Sequence, residues 1–209
     1  MTRDWVDWHG QYEQPDSWLS RRLVVVQEQL RAALDREPPG EIPLVSLCAG
    51  QGRDVVPVVA AHPRREDVHA RLVELDPANV RVAADGAAEA GLGGVEVVEG
   101  DASSTSAYEG AVPARIMLAC GVFGNITDEA IRHTIDCLPT LCAPGATVIW
   151  TRGNRPPDRR AAVRQWFDER GFEELFFRGE PEEFGVGAHR LVRDPAPFDP
   201  GLKLFTFIR

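Results

Sequence analysis

The 209-residue chain has no apolar run approaching the roughly 20 residues that a membrane-spanning helix needs. Its opening, Met1-Thr2-Arg3-Asp4-Trp5, does not read as a signal peptide. A cytoplasmic location and no membrane partner are therefore expected. Positive charge is in deficit, with a formal net charge of −9. An acidic chain gets no help from the electrostatic attraction that dominates nucleic-acid binding, so no nucleic-acid partner is expected. Cysteine is scarce: Cys48, Cys120, Cys137 and Cys142 include no C-x-x-C pair, and no histidine stands at zinc-finger spacing from them. No metal site is expected, and the four thiols read as buried and reduced. There is no internal repeat and no low-complexity segment. Nothing in the sequence speaks to oligomeric state. The length suits one domain over 1–209, divided into an amino-terminal segment and helix (1–37) and a core (43–209).

What is present is an alternation of strand and helix patterns. Residues 1–19 interleave Trp5, Trp8, Tyr12 and Trp18 with polar residues. Aromatics at this density are costly to leave in water, so the segment either docks on the core or closes over a pocket as a lid. A helix follows to about residue 35, with Leu19, Leu23, Val26, Leu30 and Leu34 on one face. Strands are expected at 44–48, 70–75, 95–98, 115–120 and 146–150, and helices at 53–61, 77–90 and 128–141. After a helix at 159–170, strands at 172–177 and 202–208 read as an antiparallel hairpin across a Pro- and Gly-rich loop. The expectation is an α/β fold: a doubly wound, mainly parallel seven-stranded sheet with an antiparallel carboxyl-terminal hairpin and helices on both faces.

The most informative stretch is Leu44-Val45-Ser46-Leu47-Cys48-Ala49-Gly50-Gln51-Gly52-Arg53-Asp54. A buried-type strand that ends in glycines lets backbone approach a ligand with no Cβ in the way. At the carboxyl end of a parallel strand that turn lies where ligands bind. A dinucleotide fingerprint wants a third glycine where Val55 stands, and a P-loop wants a Gly-Lys-Ser/Thr end that is absent. Glu74, with Leu75 and Asp76 behind it, ends the second strand and can accept hydrogen bonds from a ribose diol. Gly100-Asp101-Ala102 follows the third strand, where Asp101 can accept from an adenine amino group. Cys120-Gly121-Val122-Phe123 follows the fourth.

Taken together and in this order, these motifs resemble the class I S-adenosylmethionine-dependent methyltransferases. Ser46 to Gly52 matches the second half of that family's strand-one motif, hydrophobic-Asp-hydrophobic-Gly-x-Gly-x-Gly. The resemblance implies S-adenosylmethionine as cofactor, with Ala49, Gly50, Gln51 and Gly52 at the turn, Glu74 on the ribose and Asp101 on the adenine amine. Ser46 stands for the family's acidic residue and Cys48 for its first glycine, so Tyr12, Arg21 and the backbone at Ala49 and Gly50 are the candidates for holding the cofactor's amino-acid end. The Asn/Asp-Pro-Pro-aromatic motif of enzymes that methylate amino groups of nucleic acid and protein is missing after strand four.

A small-molecule acceptor is therefore expected, contacted by Trp8, Trp18, Phe123, Arg152 and Asn154, with His133 or His9 as candidate base. The loop at 151–157 lies at the same sheet edge, and residues 151–170 carry more arginines than acids. That local charge points to an anionic or carbonyl-bearing acceptor, or to a solvated helix face. The alternative function is a binding or regulatory protein that keeps the cofactor pocket without methyl transfer.

Overall fold

The structure is a computed structural model that describes residues 17–208. Ser17 opens it as a helix cap, its hydroxyl accepting the Ser20 N–H at 3.1 Å. This satisfies one of the donors that a helix start leaves unpaired. In α1 (Trp18–Arg36) the stripe Leu19, Val26, Leu30 and Leu34 is buried, as its spacing predicts, while Leu23 is half-buried. The chain then alternates through β1 (Ile42–Leu47), α2 (Val56–Ala61), β2 (Val68–Glu74), α3 (Pro77–Glu89), β3 (Val95–Glu99), β4 (Ala114–Ala119), α4 (Asp128–Cys137) and β5 (Cys142–Gly153). It closes with α5 (Arg160–Glu169), β6 (Phe172–Arg178) and β7 (Phe184–Leu191).

The strands pair in the order β3-β2-β1-β4-β5-β7-β6. The first five are parallel, and β7 runs antiparallel between β5 and β6. Successive residues of a strand face opposite sides of a sheet, and here they enter two separate cores. Leu44, Ile116, Leu118 and Ile149 pack with Val26 and Leu30 of α1 and Val59 of α2. Val45, Met117, Val148 and Trp150 pack with Ile131 of α4 and Phe167 of α5. The α/β doubly wound fold with an antiparallel carboxyl-terminal hairpin is thus as expected.

Two expectations are corrected. The helix after β1 starts at Val56, not near residue 53, because the backbone first makes two tight turns. Gly52 N–H bonds to Ala49 C=O at 2.9 Å, and Val55 N–H to Gly52 C=O at 3.1 Å, with Gly52 at φ +68°. The hairpin's second strand is 184–191, inside the segment read as loop, and residues 202–208 form no strand of the sheet. The glycines of Phe184-Gly185-Val186-Gly187 look like loop signals but serve packing. A Cβ on Gly187 would lie 2.4 Å from the Trp150 ring, so the fully buried indole can lie flat on β7 only because no side chain stands there.

Residues 202–208 instead run back across the carboxyl edge of the sheet. Leu202 C=O accepts the Thr105 N–H at 3.0 Å, Leu204 N–H donates to Ser103 C=O at 2.7 Å, and Ile208 N–H to Asn125 C=O at 2.9 Å. Buried Leu204 and Phe205 anchor this strap on the core. Among the described residues, no helix is long and apolar enough to cross a membrane, and no group of acids, histidines and cysteines can hold a metal ion.

Candidate functional site

The strand order reverses between β1 and β4, and a cavity of about 1050 Å³ opens there at the carboxyl ends of the strands. Its floor is the glycine turn, with Gly50 at φ +55° and Cys48 at φ +52°. Cys48 is the only non-glycine among the described residues with a positive φ, a conformation that L-residues avoid. It occupies the position where the motif has a glycine. Burial, with Glu74 and Asp101 nearby, pushes its thiol far up, so it stays protonated.

Glu74 is the hub of the cavity's β2 side. Its Oε2 accepts the Gly50 N–H at 2.8 Å, and its Oε1 accepts those of Leu75 at 3.0 Å and Asp76 at 2.9 Å. A carboxylate offers about four acceptor positions, so one strong position remains for a hydroxyl from a ligand. Asp101, beyond β3, accepts the Ser103 hydroxyl at 2.6 Å and N–H at 2.9 Å on Oδ1, while Oδ2 lies 3.2 Å from Lys203 Nζ. Burial acts to raise its pKa, but the Ser103 bonds and the Lys203 ammonium outweigh it and hold the carboxyl below its usual value. Asp101 is therefore an ionised acceptor at neutral pH. The Lys203 pair is exposed, a kind worth about 0–1 kcal/mol, so it opposes a second donor only weakly.

Beyond β4, the Gly121 N–H donates to Thr151 Oγ1 at 2.8 Å, and Asn125 Nδ2 to Gly121 C=O at 2.7 Å. These bonds tie the β4 and β5 turns together. Arg152 reaches back from the end of β5 and donates to the Phe123 carbonyl. Its Nε is buried with no hydrogen-bond partner. Burial lowers its pKa, opposed by Asp128 and Asp158. The far wall is apolar, built by Phe205, Phe207 and Ile208 of the strap with Ile126 and Leu23.

This donor set fits an adenosine-bearing cofactor. It has a glycine floor, a carboxylate with one acceptor position left beside it, and an ionised aspartate one strand further out. The model of the family described as "Putative methyltransferase" matches residues 12–170. The chain belongs to this methyltransferase family. No curated protein matches the chain.

Solved structures agree with the family on the fold. One is an O-methyltransferase family protein from Burkholderia thailandensis, 16% identical, with a TM-score of 0.63 over 85% of this chain and 56% of that one. The present chain thus spans little more than half of that relative's length. A second is magnesium protoporphyrin IX methyltransferase from Synechocystis PCC 6803 with bound SAM, 13% identical, with a TM-score of 0.62 over 81% and 79% of the two chains. A third is an RNA methyltransferase from Salinibacter ruber in complex with S-adenosyl-L-homocysteine, 20% identical, with a TM-score of 0.53 over 84% and 95%. The chain shares its fold with these methyltransferases.

The fold brings many of the sequence-selected residues to the cavity wall: Trp18, Ala49, Gly50, Gln51, Glu74, Leu75, Asp76, Asp101, Ala102, Cys120, Gly121 and Arg152. It places others elsewhere. Gly52 is buried under the turn, where a Cβ would meet Val56, Leu72 and Ala83. Gly100 sits behind Asp101 against Val73 and Val98. Val122 and Phe123 are fully buried, and Phe123 packs on Trp150 and Phe167 rather than facing the cavity. Arg21 is exposed and pairs with Glu182 at 3.4 Å. Asn154 is exposed, its N–H on the Glu183 carbonyl. His133 is exposed on α4 with Nε2 3.0 Å from the Lys203 carbonyl, outside the cavity wall. Tyr12, Trp8 and His9 lie outside the described residues.

Sequence reasoning carried Arg21 forward rather than its neighbour Arg22, and passed over Asp54 and the strap residues Lys203, Phe205, Phe207 and Ile208. Asp54 carried a signal, a carboxylate two residues past Gly52. The strap's apolar alternation disguised it as a strand.

Proposed function

We propose that this methyltransferase transfers the methyl group of S-adenosylmethionine to a small-molecule acceptor by in-line displacement. The supporting observation is the cavity itself. It combines a nucleoside-type donor set at the ends of β1–β3 with an apolar wall from the strap and the Arg152 guanidinium at the end of β5. A space of about 1050 Å³ walled by the chain's own strap suits a cofactor and a compact acceptor together.

In this reading Glu74 accepts a ribose hydroxyl and Asp101 an adenine amine, with the backbone at Gly50 and Gln51 beneath. The cofactor supplies an electrophilic methyl on a sulfonium. The protein aligns the acceptor with that bond, and positioning of this kind is worth about 7–11 kcal/mol. Phe205, Phe207 and Ile208 give the acceptor an apolar surface to lie against, and the buried Arg152 Nε–H donates to an anionic or carbonyl oxygen on it. No histidine lies on the described cavity wall, so an acceptor that arrives already deprotonated or without a proton to lose suits it. The reading treats residues 1–209 as one cytoplasmic domain; the aromatic segment read as a lid in the sequence lies, up to residue 16, outside the described residues.

A screen for S-adenosylhomocysteine release across small acids, phenols and amines, with RNA and protein as parallel arms, tests this. Turnover confined to a small-molecule arm is expected. Turnover on RNA or protein alone overturns the acceptor class, and cofactor binding with no turnover in any arm favours a binding protein.

A further inference from the structure

The strand-one motif of this chain lacks the acidic residue its family pattern calls for, and the structure indicates what replaces it. Ser46, at that position, is 1% exposed, its hydroxyl has no hydrogen-bond partner, and it does not reach the cavity wall. Five described carboxylates do reach it: Asp54, Glu74, Asp76, Asp101 and Asp128. Four have their work within the fold. Glu74 gathers three backbone N–H groups, Asp76 caps α3 through the Ala78 N–H at 2.8 Å, Asp101 holds Ser103 and Lys203, and Asp128 pairs with Arg159 at 2.7 Å. The Asp54 carboxylate has backbone N–H groups of Asp54 and Val55 near it, but its Oδ1 is buried without a hydrogen-bond partner. A buried carboxylate oxygen without a donor is unfavourable unless a ligand brings the donor.

Its place is also specific. The sheet order β2-β1-β4 sets the glycine turn of β1 between Glu74 at the end of β2 and Cys120 beyond β4. Asp54 is close enough to Cys120 for its charge to act on the thiol, and Arg22 of α1 acts on both. Arg22 is 8% exposed, lines the cavity, and lies 5.3 Å above the Trp18 ring. A nucleoside anchored on Glu74 and lying across the β1 turn therefore directs its far end at one anion and one cation. The far end of S-adenosylmethionine is an α-amino acid, which carries one charge of each sign.

We infer that Asp54 and Arg22 seat the amino-acid end of the cofactor, Asp54 accepting from its ammonium and Arg22 donating to its carboxylate. The inference rests on the S-adenosylmethionine reading above. It assigns to α1 and to the residue after the glycine turn the role that Ser46 cannot fill, and it bypasses Arg21, which faces Glu182.

Calorimetric titration with S-adenosylmethionine and with 5′-methylthioadenosine, the neutral thioether of the same nucleoside that lacks the amino-acid end, tests it on the wild type, Asp54→Asn and Arg22→Gln. Each substitution is expected to weaken S-adenosylmethionine by roughly 10–100-fold, the scale of a hydrogen bond to a charged group, and to leave methylthioadenosine within about 2-fold. Methylthioadenosine binding also reports that the variant's site is folded. Wild-type affinity of both variants for S-adenosylmethionine, or equal losses for the two ligands, overturns the assignment. A wild type that binds neither ligand removes the cofactor reading and this inference with it.

Discussion

The two ends of the cavity are built by different means. The β1–β3 end is made of backbone: Glu74 organises the turn by collecting the N–H groups of Gly50, Leu75 and Asp76. The strap side is made of side chains: Phe205, Phe207 and Ile208 face the cavity, with the Phe205 and Phe207 rings 5.2 Å apart. In the core under β5, off the cavity wall, Trp150 stacks on Phe167 at 5.9 Å and lies near Phe123, Phe177 and His189. Backbone presents the same donors whatever side chains it carries, so it suits a ligand common to a whole family. Side-chain walls change with every substitution, so they suit the partner that differs between members.

The sharpest test of this contrast removes the central ring. Trp150→Ala deletes a fully buried side chain and is expected to destabilise the fold by about 3–5 kcal/mol in urea unfolding. The affinity of the still-folded variant for S-adenosylmethionine should stay within about 3-fold. A large loss of affinity would show that the two ends are not independent.

The ends should also differ in pH response. Burial pushes Asp54 up to about 6, against the pull of nearby Arg22 and of backbone N–H groups at Asp54 and Val55. A folded pKa above the unfolded 3.8 means that the native state binds the extra proton, so stability is lost as pH rises from about 4 to 6. His189 behaves oppositely. Its Nδ1 accepts the Trp150 indole N–H at 3.1 Å, which fixes the neutral ring's proton on Nε2, 3.6 Å from Glu174. Burial lowers its pKa to about 4; Glu174 and Asp168 act against this and Arg164 with it. Stability is then lost as pH falls from 6.5 to about 4. Each effect amounts to at most about 3 kcal/mol, and in the wild type they largely cancel. Asp54→Asn should unmask a stability that climbs with pH across 4–6.5, and His189→Gln one that falls, both read from chemical denaturation at stepped pH.

Glu74→Ala removes both the ligand's acceptor and the clamp on the turn. A loss of roughly 100-fold in cofactor affinity is expected, about 2.7 kcal/mol, by calorimetry. Arg152→Ala should raise the acceptor KM roughly 10-fold at unchanged cofactor affinity, in steady-state kinetics. The smallest effect is a gain. Cys48→Gly relieves a positive φ and is expected to add about 0.5–1 kcal/mol of stability by thermal unfolding, the strain outweighing the extra freedom of glycine in the unfolded chain.

Much of the β1–β3 end of the cavity was legible in the sequence because its positions follow from local pattern. A strand that runs into glycines must turn at the sheet edge, and an acid closing the next strand must lie beside that turn. Ala49, Gly50, Glu74 and Asp101 were therefore in reach of a reading by spacing alone. The other side was not. Phe123 looks like a pocket aromatic and is core, because Trp150 and Phe167 claim its ring. Asn154 and His133 sit at the correct edge in sequence terms, but the backbone turns them to solvent.

By itself the sequence determined the alternation, the sheet's direction and the chemistry of the glycine turn, since each depends on periodicity and on residues a few positions apart. Tertiary structure alone decided the last strand and the roof of the cavity. Glycines at 185 and 187 oppose a strand until the Arg160 and Trp150 side chains that need their space are in place. The apolar alternation at 202–208 favours a strand until β7 occupies the neighbouring edge of β5. Which of two segments wins a pairing is a competition across the whole chain, and local pattern carries no record of the rival.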